Sequence, residues 1–139
     1  MSHTLAEITA RTGFAVLEHL EAEAHVPVLP GLQAQGDLLI VPLADAAPVS
    51  HRPAAEVPGT GIAVIEPVGS GHEHRLFAGA PGTATFGFAA TGGQDIGVLE
   101  CTEPAFLLHP EHGATGVAPG SYVLRRQREQ ADEERLIAD

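Results

Sequence analysis

Thr83-Ala84-Thr85-Phe86-Gly87-Phe88-Ala89, then Gly92-Gly93, then Ile96-Gly97-Val98-Leu99-Glu100-Cys101 is the stretch on which the fold turns. Two short runs, the first interleaving Thr, Phe and small residues and the second apolar, stand on either side of a double glycine. Glycine reaches the backbone angles of a tight hairpin turn without steric cost, so the pattern predicts two strands joined by a hairpin. Downstream, Ala105 to His109 is another apolar run, and Pro119-Gly120 is a turn before Tyr122-Val123-Leu124. Upstream, Glu73 to Ala78 follows a Gly-Ser-Gly turn, Ile62-Ala63-Val64-Ile65 is strand-like, and Gly36-Asp37 introduces Leu38-Leu39-Ile40-Val41. Short strands recurring about every ten residues predict a mainly β fold, a small β-barrel or β-sandwich.

The region before these strands reads differently. Residues 4–24 predict a helix, with Thr4 as cap and Glu7 completing a capping box. Leu5, Ile8, Phe14, Leu17 and Leu20 form its apolar stripe, and Gly13 weakens the middle enough to allow two shorter helices. Pro27 and Pro30-Gly31 end it. The expected organisation is an N-terminal helical extension over 1–30 and a small β domain over 31–139 with a charged tail. Residues 44–60, with Pro48, Pro53 and Pro58, are expected to be an extended loop.

Composition narrows the function classes. The chain has 139 residues, one domain's worth, and 44% are hydrophobic, enough for a real core. Its net charge is −11, and all seven basic residues are arginine, so broad nucleic-acid binding is disfavoured. Arg125-Arg126-Gln127-Arg128 is the local exception and reads as an edge strand kept soluble by charge, with a small anion site as the functional alternative. The single cysteine, Cys101, excludes an intrachain disulfide, fits a reducing cytoplasm and reads as a buried thiol. No apolar stretch approaches the ~20 residues of a membrane span, and the N-terminus lacks the basic start and apolar run of a secretory signal.

Four of the eight histidines fall in two clusters, Gly71-His72-Glu73-His74 and His109-Pro110-Glu111-His112-Gly113. On a strand, His72 and His74 share a face, so two imidazoles can meet one ion. Pro110 stops simple strand continuation, so His109 and His112 are expected where a strand gives way to a loop. The candidate metal ligands are therefore His72, His74, His109 and His112, with the two pairs close in space. Glu111 is the candidate catalytic group, as ligand or general base. A mixed nitrogen and oxygen set suits a divalent Zn, Fe, Mn or Ni ion. The same residues could also move protons without a metal, since imidazole titrates near neutrality. His3, His19, His25 and His51 read as solvated.

From Gln35 onward the chain resembles a small family of bacterial and phage proteins without an established activity. The resemblance rests on Gln35-Gly36-Asp37-Leu38-Leu39-Ile40-Val41-Pro42, Gly71-His72-Glu73-His74, His109-Pro110-Glu111-His112, and Pro119-Gly120-Ser121-Tyr122-Val123-Leu124-Arg125-Arg126-Gln127-Arg128-Glu129. It implies that both histidine blocks and the Gln-Arg-Glu block serve one design. It also sets the first thirty residues outside that pattern and, for a phage protein, implies a virion-associated setting. The cupin HxH resemblance is weak, because Leu76, Phe77, Ala78 and Gly79 stand where a glutamate is expected.

Three functions follow as expectations. One is metal-dependent hydrolytic or other small-molecule chemistry. Another is a non-enzymatic binding or structural module of a phage particle or bacterial assembly, contacting a homo-oligomer or larger complex through the N-terminal helix. The last is a purely structural metal site.

Overall fold

The computed structural model describes residues 3–14, 25–66 and 73–127. Helix α1 (Leu5–Thr12) is followed by β1 (Val28–Leu29), β2 (Gln33–Gln35), β3 (Leu38–Pro42), a short 3-10 turn (Leu43–Asp45) and β4 (Ala55–Glu56). Then come β5 (Ile62–Ile65), β6 (His74–Ala78), β7 (Ala84–Phe88), β8 (Asp95–Cys101), β9 (Ala105–His109), β10 (Gly113–Val117) and β11 (Gly120–Arg126). They form two sheets, ordered β1-β10-β9-β6-β5 and β2-β3-β11-β8-β7-β4. Neither sheet closes on itself, so the fold is a sandwich and the barrel alternative is set aside.

Alternation along the strands explains the layers. Leu76 on β6, Ala105 and Leu107 on β9, Leu38 and Ile40 on β3, Leu99 on β8 and Leu124 on β11 are buried in the core cluster between the sheets. The intervening Phe77, Phe106 and Leu108 point to the other side of the first sheet, where Ile8 of α1 covers them. Strand β9 is therefore buried on both faces, as its unbroken apolar run requires.

Four expectations change here. Helix α1 stops at Thr12, because Gly13 adopts φ +73 and its N–H caps onto the Thr9 carbonyl. Thr4 accepts from the Glu7 N–H at 3.1 Å, as a cap should. The helix is part of this chain's own core: Leu5 and Ile8 are buried, and Arg11 Nη1 donates to the Gly79 carbonyl at 3.1 Å. That removes the described half of its apolar stripe from a docking role. Leu17, Leu20 and His19 lie outside the described residues. Residues 28–29 pair in parallel with β10, so the first thirty residues also contribute a strand. Finally, β11 lies between β3 and β8 and is no edge strand. Its Arg125 instead pairs with Asp95 at 2.8 Å. Arg128 lies outside the described residues.

Elsewhere the loop over 44–60 carries only the end of the 3-10 turn (Leu43–Asp45) and the two residues of β4. His25 and His51 are exposed, whereas His3 packs edge-on against Phe106, with ring centroids 5.0 Å apart. Cys101 is buried, and burial pushes its thiol pKa up, which is the wrong direction for a nucleophile. Among the described residues, no helix is long and apolar enough to cross a membrane.

Candidate functional site

Both histidine clusters end at one rim of the sandwich. Strands β6 and β9 are antiparallel with Arg75 opposite Leu108, so the next residues outward, His74 and His109, stand side by side. Both belong to the inward-facing set of their strands. Their ring centroids are 4.5 Å apart, and His112 continues the row at 4.6 Å from His109. Three of the four predicted ligands are thus together. His72 lies outside the described residues, and Glu73, pairing with Arg75 at 3.4 Å, belongs to the outer side.

The β9–β10 hairpin explains the second cluster. His109 pairs with Gly113, so Pro110, Glu111 and His112 form the loop. Proline pre-sets the φ of a turn, and Gly113 at φ +77 takes the left-handed position that closes such loops. His109 Nδ1 accepts from the backbone N–H groups of Glu111 and His112, at 3.1 and 3.3 Å. His109 is buried, while Glu111 and His112 are exposed.

The opposite sheet supplies residues absent from the predicted ligand set. Gln35 pairs with Leu38 across a two-residue turn, Gly36-Asp37. That turn lies over the histidines. Gly36 has φ +59, and a Cβ there would sit 2.8 Å from His112 Nε2 and 3.5 Å from His74 Cε1. Gln127, just after β11, clamps the turn from outside: its N–H donates to the Asp37 carbonyl at 2.8 Å and its side chain to the Gly36 carbonyl at 3.1 Å.

Gln35 and Asp37 fix His74 from both sides. Gln35 Nε2 donates to the Leu107 carbonyl at 2.8 Å and to Thr115 Oγ1 at 3.1 Å, so its Oε1 is the atom facing His74 Nδ1 at 2.9 Å. His74 must therefore donate from Nδ1. Its Nε2 faces Asp37 Oδ1 at 2.8 Å. A bare nitrogen lone pair and a carboxylate lone pair repel at that distance, so the gap favours a positive charge, a proton or a metal ion, between them. The side chain of His74 is 2% exposed and that of Asp37 37%, so the pair runs from the interior to the surface. Burial pushes the His74 pKa down, against the hydrogen bond and charge of Asp37; His112 and Arg126 add to the lowering.

Among the described residues, no three His, Cys, Asp or Glu side chains are already arranged as a ligand set for an ion. What stands ready is a two-donor pair, with His112 exposed beside it.

The family described as a domain of unknown function (DUF8820) matches residues 34–127. The chain belongs to that family. The DUF8820 match begins one residue before Gln35 and ends at Gln127, so it spans all of the described rim. It leaves α1 and β1 outside. No curated protein and no solved structure matches the chain.

Proposed function

We propose that this domain binds one divalent metal ion at the rim, through His74 Nε2 and the Asp37 carboxylate, with His112 closing on the ion as third ligand. The observation that carries the reading is the polarity of His74. A metal-bound imidazole characteristically donates its other N–H to a carbonyl or carboxylate. His74 donates from Nδ1 to Gln35 and aims Nε2 at Asp37. A divalent cation between the two donors would relieve the repulsion between their lone pairs. Donors about 2.1 Å from one ion at right angles stand roughly 3 Å apart, close to the existing separation. The donor set suits Zn, Fe, Mn or Ni. Three protein ligands leave a coordination position for water, the reactive group in metal-assisted hydrolysis, and Glu111 on the His112 turn is the candidate base for its proton.

Metal analysis and calorimetric titration of protein purified without a polyhistidine tag test this. About one ion per chain is expected, lost in His74→Gln and Asp37→Asn. A folded wild-type protein that takes up none of these ions sinks the proposal.

A second reading is a structural module in which the same pair clamps the two sheets and does no chemistry. The 2.8 Å contact favours it, being an ordinary hydrogen-bond length. In that case His74→Gln lowers stability while no metal is found.

A further inference from the structure

The two histidines of His109-Pro110-Glu111-His112 stand side by side but are held differently. His109 is the buried one, the last residue of β9, and its Nδ1 accepts two backbone N–H groups of the loop that follows. A nitrogen that accepts carries no proton. The neutral ring then keeps its single proton on Nε2. Such a ring has no lone pair to offer a metal: Nδ1 is occupied and Nε2 is protonated. Binding through Nε2 would first move the proton to Nδ1, where it would clash with both backbone N–H groups. His112 is built the opposite way. It is the exposed last residue of the loop, and its Nε2 lies close over Gly36, 2.8 Å from where a Cβ there would stand, beside His74.

We infer that His109 is a positioning residue and not a ligand: its imidazole caps the Pro110–His112 turn and thereby presents His112 to the ion. This rests on the metal-binding reading for its consequence, but the hydrogen-bond pattern stands without it. The block then divides by role. His109 caps, Pro110 starts the turn, His112 is displayed, and Gly113 returns the chain into β10. The burial of His109 between two rings, 4.5 and 4.6 Å away, also gives it a side-chain packing role that an ordinary turn cap lacks.

Two measurements test it. In the metal-free wild-type protein, long-range proton–nitrogen NMR of the histidine rings should show His109 as the Nε2–H tautomer. An Nδ1–H tautomer overturns the inference, whether or not metal binds. The second measurement is zinc affinity by calorimetry. Asparagine can offer its side-chain oxygen to the same two N–H groups in an Asx turn, so His109→Asn should stay within about threefold of wild type, while His109→Leu falls about 10–100-fold, the usual penalty for losing an outer-shell partner. His112→Ala should fall at least as far. If His109→Asn loses as much as His109→Leu, the ring itself is needed and the inference fails. If wild-type protein binds no zinc, the metal reading is what fails, and the tautomer alone decides the role of His109. The wild-type spectrum also decides it if a variant does not fold.

Discussion

Gly36→Ala separates backbone strain from the contact at the rim, because Gly13 supplies a matched control. Both glycines have positive φ, +59 and +73. A non-glycine residue in this left-handed region costs about 1–2 kcal/mol. At Gly13 an added Cβ meets nothing within 4 Å, so Gly13→Ala should cost only that strain. At Gly36 the Cβ would lie 2.8 Å from His112 Nε2. The atom it meets is the far end of an exposed side chain, which can rotate away at little energetic cost. Gly36→Ala should therefore lose about the same 1–2 kcal/mol as Gly13→Ala in urea unfolding. What it should lose in addition is His112 as a ligand, weakening zinc by roughly tenfold or more, while Gly13→Ala leaves zinc binding unchanged. If Gly36→Ala is much less stable than Gly13→Ala, His112 is held rigidly and the proposed closing motion is wrong. If it binds zinc like wild type, His112 is not a ligand.

Ile8→Ala should destabilise by about 2–5 kcal/mol without changing the assembly state, since Ile8 is fully buried on this chain's own Phe77, Phe106 and Leu108; sedimentation and thermal melts check both. Gln35→Leu strands the His74 Nδ1–H and uncouples the Leu107 carbonyl, each worth about 1–3 kcal/mol, which denaturant titration would register; a neutral result would mean that water replaces the amide. For pH, the sign follows from His74. Its pKa is lowered in the folded state, chiefly by burial, so the unfolded chain binds the proton more readily. The contribution is complete above the ordinary value of 6.5 and is lost as pH falls below it. Metal-free protein should weaken from pH 7.5 to 5.5, and His74→Gln should flatten that slope; stability that rises on acidification would contradict the assignment.

Much of the fold was legible because it rests on local signals. The hairpin after Gly92-Gly93, the buried run of β9 and the Thr4 cap are fixed by residues close in sequence. Two readings failed where the answer depends on what packs alongside. The charged run at Arg125-Arg126 resembles an edge strand, yet β3 covers it from nearly ninety residues earlier in the chain, pairing Val123 with Val41 and Arg126 with Leu38. The amphipathic helix showed an apolar face but not its partner. The partner is the outward side of β6 and β9, whose Phe77, Phe106 and Leu108 look in sequence like ordinary core.

The site was half legible for a similar reason. Histidines at the ends of two strands announce themselves by type and spacing, and antiparallel pairing brings His74 beside His109. Their chemistry is set by the second nitrogen of each ring, and those partners come from elsewhere. Gln35 and Asp37 were visible only as parts of a turn, although a glutamine placed directly before a Gly-Asp turn and opposite Leu38 was a signal that could have been read. The same spacing that makes His109 and His112 look like a ligand pair gives them different tasks once Pro110 forces a turn. In the proposed site the nearer ring, His109, answers the loop N–H groups and leaves His112 to face the ion. On that reading, backbone hydrogen-bond satisfaction sets how many rings of a histidine cluster remain for an ion.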